Sequence, residues 1–185
     1  MEPPAITRHR RPFLAPLWVV LLAAVAVACV VYVFRRNATT TVVVLAMSAE
    51  KQSGTIDDPP LSAEGEQRAQ RLAQMFGAAG APGRLDAVYV SDDRRAQQTA
   101  APLLERLHVA AVHYSSQDAR ACAAGLLRTH AGEDILVVGS RADIRVFLGE
   151  LAGSAPAPAA ESEPDLLYIV SVPSLGRPRL LQLRY

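Results

Sequence analysis

The sequence has few of the residues that usually carry chemistry. It holds two cysteines, Cys29 and Cys122. One lies inside an apolar stretch and the other in a predicted helix, so no disulfide framework supports the fold. The four histidines, His9, His108, His113 and His130, are scattered. Neither they nor the cysteines have metal-ligand spacing, so no metal site is read and no cofactor is implied. Net charge is also scarce, at +1 over 185 residues. That charge is unevenly spread. Arg8, Arg10, Arg11, Arg35 and Arg36 flank the apolar stretch, and without them and Glu2 the remainder has 14 basic and 17 acidic residues, a net of −3. A mildly acidic domain is a poor nucleic-acid binder, so no nucleic-acid partner is expected.

Charge is missing altogether from Phe13 to Phe34, a run of 22 residues. As a helix it would extend about 33 Å, against a hydrocarbon core of about 30 Å. Arginines bracket both ends, and Trp18 and Tyr32 sit near them, where amphipathic rings favour the interface. The residues divide into a basic tail (1–12), a transmembrane helix (13–34), a juxtamembrane linker (35–40) and a domain (41–185). Two rival readings fit less well. A cleavable signal peptide has a shorter apolar region of about 7–15 residues and a small-x-small site, whereas this run ends in Tyr-Val-Phe-Arg-Arg. Ala26-Val27-Ala28-Cys29 loosely resembles a lipoprotein signal, but Val30 to Phe34 continue the apolar run. The uncleaved single-pass anchor fits length and flanks better. Three arginines precede the span and two follow it. This small excess favours an internal N-terminus, with the domain on the extracytoplasmic (periplasmic) side of the cell membrane. The Ala/Arg/Leu-rich composition looks bacterial, so the sequon Asn37-Ala38-Thr39 receives little weight.

Beyond residue 40, strand and helix patterns alternate. Thr41 to Ala46 is a short β-branched run of the kind buried on both faces of a parallel sheet. Ser62 is a plausible N-cap for a helix with Ala69, Leu72, Ala73 and Phe76 at helical spacing. Gly77 to Gly83 breaks it. Ala87 to Val90 is a second strand, Ser91 to Arg94 a polar turn, and Arg95 to Leu107 a helix. Val109 to Tyr114, Ile135 to Val138, Leu166 to Val172 and Arg179 to Arg184 read as strands, the last two antiparallel across a Pro/Gly turn. Asp118 to His130 and Asp143 to Leu151 read as helices, and Ala152 to Pro164 as an exposed loop. The pattern implies an α/β fold, a three-layer sandwich with a mostly parallel sheet, preceded by one transmembrane helix. Sites in such folds lie at the carboxyl ends of the strands. The informative segments are therefore 47–51, 91–95 and 139–143.

Those segments carry a family likeness. Val43 to Lys51 resembles the opening strand of histidine phosphatases, apolar-Arg-His-Gly/Ala-Glu. Pro60-Leu61-Ser62-Ala63-Glu64-Gly65 resembles their "PLTxxG" helix start. Ser91-Asp92-Asp93-Arg94-Arg95-Ala96-Gln97-Gln98-Thr99-Ala100 is similar to their "S-x-x-x-R-A-x-Q-T-A" signature. Leu136-Val137-Val138-Gly139-Ser140 resembles their "VVGH" strand. The chain resembles a degenerate member of this phosphoglycerate mutase-like superfamily. Glu50 and Lys51 match the small single-domain phosphohistidine phosphatase branch. By this resemblance the first Arg-His pair falls on Met47-Ser48 and the second histidine on Ser140, while the second arginine is kept as Arg95.

The resemblance implies a phosphate or anion pocket of Arg95, Met47, Ser48, Ser140 and Glu50, with no catalytic residue. Phosphoryl transfer needs an in-line nucleophile and cations around the developing charge. Serine needs a neighbouring base that an imidazole does not. Met47 removes a guanidinium clamp. Losing all three groups costs more than the roughly 10²–10³-fold of one electrostatic donor. Arg95 alone could still bind an anion, or pair with Asp92 or Asp93. Ser48 and Ser140 read as small polar residues filling vacated space, Arg141 as a solvated arginine, and Glu50 with Lys51 as a surface ion pair. His113 and His130 read as strand-edge and helix-end residues, and Cys122 as core. The expected function is a membrane-anchored pseudophosphatase that binds a phosphorylated or anionic ligand. The alternative is a weak or altered phosphoester hydrolase.

Overall fold

The computed structural model describes residues 15–36, 39–54, 58–77, 85–153 and 166–185. The chain divides into two units, Met1–Ala38 and Thr39–Tyr185. In the first, Ala15–Arg36 is the helix α1. Pro16 falls in its first turn, where a missing N–H costs no helical bond. Side chains are described from Trp18 to Tyr32, all exposed, a stretch shorter than the roughly 20 residues a span requires. Among the described residues no helix is long and apolar enough to cross a membrane. The expected span, Phe13 to Phe34, lies only partly within them, as does the linker; the basic tail and most of the Ala152 to Pro164 loop lie outside.

The second unit contains a six-stranded sheet: β1 (Thr40–Met47), β2 (Ala87–Ser91), β3 (Val112–Tyr114), β4 (Asp134–Gly139), β5 (Leu166–Pro173) and β6 (Arg179–Arg184). Its order is β3-β2-β4-β1-β5-β6. The first four strands are mutually parallel, and β5 and β6 complete the sheet antiparallel. The helices are α2 (Ala63–Phe76), α3 (Arg94–Leu107), α4 (Ala119–Thr129) and α5 (Arg141–Ala152). The two-residue period of the strands sorts the core. Val43, Leu45, Ile135 and Val137 face α4 and α5, while Val44, Ala46, Leu136 and Val138 face α2 and α3. Each fully buried Leu, Ile or Val stabilises the domain by roughly 1.5–3 kcal/mol. A strand such as Val43 to Met47, buried at every position, can exist only between two helical layers.

Boundaries differ from the sequence reading in explicable places. The third strand starts at Val112 rather than Val109, because Val109 N–H returns to the Leu104 carbonyl (3.3 Å) at the end of α3. The third helix of the domain starts at Ala119, after a single 3₁₀ turn at Ser116–Asp118 capped by Ser115. The helix after β4 starts two residues early, at Arg141, because Ser140 caps it.

Two glycines are fixed by close approach. A Cβ at Gly65 would lie 2.5 Å from the Glu50 carbonyl oxygen, and one at Gly139 would collide with the Tyr114 hydroxyl. Both contacts draw a neighbouring segment against the carboxyl ends of β1 and β4.

Candidate functional site

Met47 is paired with Gly139, so Ser48 and Ser140 are the first residues beyond two adjacent strands. A cleft of about 510 Å³ opens there, lined by Met47, Ser48, Ala49, Glu50, Lys51, Arg95, Ser140 and Arg141. The five residues singled out from the sequence, Met47, Ser48, Glu50, Arg95 and Ser140, therefore meet in one cleft. No histidine is among its described lining residues.

Both serines are engaged by the chain itself. Ser48 is buried; its backbone N–H (2.8 Å) and its Oγ (3.0 Å) both donate to the Gly139 carbonyl. A carbonyl holds that proton in a hydrogen bond but cannot take it up, so it is no general base. Ser140 is the N-cap of α5. Its Oγ accepts from Asp143 N–H (3.2 Å), and its own N–H donates to Asp143 Oδ2 (2.9 Å), a reciprocal capping box. Asp143 also accepts from Ser116 Oγ (3.1 Å). The spacing Ser140-x-x-Asp143 is the sequence signal for this cap.

Glu50 is not paired with Lys51, and this corrects the expected surface ion pair. Its Oε1 lies 2.9 Å from Nη1 of Arg68, which is only 2% exposed. The contact is an ion pair without hydrogen-bond alignment, and Arg68 Nε and Glu50 Oε2 are buried without a hydrogen bond. Arg68 Nη2 donates to the Ser48 carbonyl (3.3 Å), and its guanidinium lies 5.9 Å from the Tyr185 ring centroid. A position on the α2 face with apolar spacing gave no hint of such a residue; only the tertiary contact with Glu50 explains it.

Arg95 projects from the first turn of α3, half-buried. Asp93 does not pair with it; it accepts instead from Ser91 Oγ (3.0 Å). Among the described residues no hydrogen bond or ion pair engages the Arg95 guanidinium. The α3 amides are served from elsewhere, since Arg94 N–H donates to the Asp58 carboxylate (3.2 and 3.3 Å). The helix N-termini of α3 and α5 thus each already hold a carboxylate of the chain. What remains for an external anion is side-chain charge at Arg95 and Lys51.

The long signature around Arg95 has structural work at almost every position. Gln98 Oε1 accepts from Leu61 N–H (2.9 Å). Thr99 Oγ1 accepts from Ala49 N–H (3.0 Å) and donates to the Arg95 carbonyl (2.7 Å). Ala96 and Ala100 are fully buried against the sheet. Tyr114 closes the rear of the site; burial, then the neighbouring Asp143 carboxylate, pushes its phenol well up, and its hydroxyl has no hydrogen-bond partner. His113 lies exposed on the edge strand β3. His130 caps the end of α4, with Nδ1 2.6 Å from Glu133 and Nε2 2.8 Å from the Tyr89 hydroxyl. Cys122 is partly buried against the core, which raises its thiol pKa. Neither histidine belongs to the cleft.

Residues 44–116 match the family model of the histidine phosphatase superfamily, branch 1. The resemblance to that superfamily spans 73 of the 185 residues, from 44 to 116. The domain's fold is similar to that of the protein histidine phosphatase SixA complexed with tungstate, at 16% identity and a TM-score of 0.59, over 77% of this chain and 96% of that one. It is similar to a mycobacterial glucosyl-3-phosphoglycerate phosphatase at 15% identity and a TM-score of 0.59, over 77% and 98% of the two chains. It also resembles a phosphoserine phosphatase mutant of Entamoeba histolytica in complex with phosphoserine, at 15% identity and a TM-score of 0.55, over 76% and 94%. At these identities the likeness is one of fold. No curated protein sequence matches the chain. The matched segment begins within β1 and contains the α2 start and the Arg95 signature, while Ser140 lies beyond it.

Proposed function

We propose that this histidine phosphatase-like domain is a pseudophosphatase held at the cell membrane by α1, with its domain on the extracytoplasmic side, binding a phosphorylated or anionic ligand at Arg95 without turning it over. One observation carries the reading: both serines at the strand ends spend their hydroxyls on the fold, Ser48 on the Gly139 carbonyl and Ser140 on the α5 cap. A serine nucleophile needs a base to take its proton. The nearest carboxylates, Glu50 and Asp143, are engaged by Arg68 and by the Ser140 and Ser116 donors. Arg95, by contrast, offers planar donors that suit two phosphate oxygens. The uncharged run from Phe13 to Phe34, with arginines at both ends, supports the anchor.

The alternative is a weak hydrolase. It is favoured by the cationic side chains of Lys51 and Arg95 lining the same cleft, which could stabilise a developing charge. Purified full chain in detergent, assayed on aryl phosphates and on phosphohistidine, separates the two. The pseudophosphatase shows background turnover, binds inorganic phosphate or tungstate, and loses that binding in Arg95→Gln. Turnover that vanishes in Ser48→Ala would establish the hydrolase and make Ser48 its nucleophile. Restoring one group alone recovers little, because such groups act as a unit. The triple variant Met47→Arg, Ser48→His, Ser140→His is expected to gain detectable turnover.

A further inference from the structure

The end of the sheet opposite the cleft carries a second set of groups without ion-pair partners among the described residues. The turn between β5 and β6, Ser174 to Pro178, packs beside the point where the chain enters the domain. Ser174 N–H donates to the Thr39 carbonyl (2.9 Å), and Thr40 pairs with Pro173. A small cavity there is lined by Thr40, Leu175, Arg177 and Arg179 among others. Leu175 is 59% exposed at the tip, and Arg177 and Arg179 are exposed on either side of Pro178. Neither arginine has an ion-pair partner among the described residues. From Leu166 to Tyr185 there is no acidic residue.

We infer that this hairpin tip is a docking surface for anionic lipid headgroups. The inference rests on the reading of α1 as a membrane span and extends it to the domain itself. Its warrant is covalent. Only Asn37 and Ala38 separate Arg36, the last residue of α1, from Thr39, and three peptide steps reach at most about 11 Å. A chain leaving a bilayer at Arg36 therefore enters the domain within about one headgroup layer of the surface. The tip bonded to Thr39 shares that position. An exposed leucine followed by two exposed arginines is the chemistry that suits such a boundary: the apolar side chain enters the acyl edge and the guanidinium groups meet phosphates.

Acidic groups on the same end set a direction. Asp86 and Asp134 lie at the starts of β2 and β4, with Asp134 N–H donating to Asp86 Oδ2 (2.9 Å); Glu133 is held by His130. An anionic surface repels that side and attracts the β5–β6 side, so the sheet leans on its hairpin edge. The cleft lies at the other end of β1, which is eight residues long and spans roughly 23 Å from Thr40 to Met47 at about 3.3 Å per residue.

Quenching by lipid tests this on the full chain. The chain has one tryptophan, Trp18. In a Trp18→Phe background, Leu175→Trp reports the tip and Lys51→Trp reports the cleft end; both replace exposed residues. The chain is reconstituted into vesicles of brominated phosphatidylcholine with or without phosphatidylglycerol. The expected result is strong quenching at position 175 and little at 51. Neutralising Arg177→Gln or Arg179→Gln should weaken docking by about fivefold per charge, and added salt should weaken it further. Equal quenching at 175 and 51, in a chain that resists alkaline carbonate extraction, would overturn the docking surface and leave the anchor standing. Release of the chain by carbonate would overturn the anchor reading, and the docking surface with it.

Discussion

The two ends of the sheet treat their polar groups differently. At the carboxyl ends of β1 and β4, the chain answers several polar groups from within: Ser48 with Gly139, Ser140 with Asp143, Glu50 with Arg68, the first α3 amide with Asp58. Arg68 Nε, Glu50 Oε2 and the Tyr114 hydroxyl are buried there without a hydrogen bond, and Arg95 lines the cleft with no ion pair among the described residues. At the amino end of β1, Arg177, Arg179 and Leu175 are exposed, and among the described residues no ion pair engages either arginine. At the cleft both serine hydroxyls serve packing and a helix cap; at the hairpin tip the charge serves no contact within the described residues.

The largest effect that would sharpen this comparison lies at Arg68. Removing one member of a fully buried ion pair costs about 3–5 kcal/mol; here the stranded Glu50 side chain is 28% exposed, so the cost falls below that range and adds to the loss of the buried Arg68 side chain. Arg68→Ala is therefore expected to lower the domain's melting temperature by many degrees. The double change Glu50→Leu with Arg68→Met should recover most of it, because no charge is then stranded. If Arg68→Ala melts like the parent, the cleft end is not internally braced as described. A smaller loss is expected at Ser140. Ser140→Ala removes the α5 cap at a cost of about 1 kcal/mol, read by denaturant titration, and leaves phosphate binding at Arg95 unchanged. A binding loss without a stability loss would place Ser140 in the ligand site and weaken the contrast.

The smallest effect lies at the other end, in Asp134. Burial, then the adjacent Asp86 carboxylate, raises its pKa above the ordinary 3.8. The folded state thus holds this proton more tightly than the unfolded chain. Its favourable contribution is complete below about 3.8 and is lost as pH rises through the raised value. Asp134→Asn should therefore be slightly more stable than the parent at neutral pH, within about 0.5 kcal/mol, and equal to it below pH 3.8. Melting curves at the two pH values check this. A gain that persists in acid would point to packing and not to charge.

The cleft's membership was legible before its geometry. Strand ends in a parallel sheet converge, so segments 47–51, 91–95 and 139–143 had to meet once their strands were recognised, and Met47, Ser48, Arg95 and Ser140 do line one cleft. What each side chain does there was not legible. Ser140 as a helix cap had a local signal in Asp143 three residues on, because a capping box is made of neighbours in sequence. Glu50 had none, since its partner lies 18 residues away on α2, and residue spacing alone does not report which side chains meet across a turn and a helix.

By itself, then, the sequence determined the α/β alternation, the apolar segment ahead of it, and the strand ends that form the cleft. These follow from local periodicity and from the short reach of parallel-sheet connections. The tertiary structure decided that Ser48 and Ser140 spend their hydroxyls on the fold, that Glu50 answers Arg68, and that Leu175, Arg177 and Arg179 gather beside Thr39. Those outcomes depend on which distant atoms come within hydrogen-bond or ionic reach, and that is fixed only when the layers close on one another.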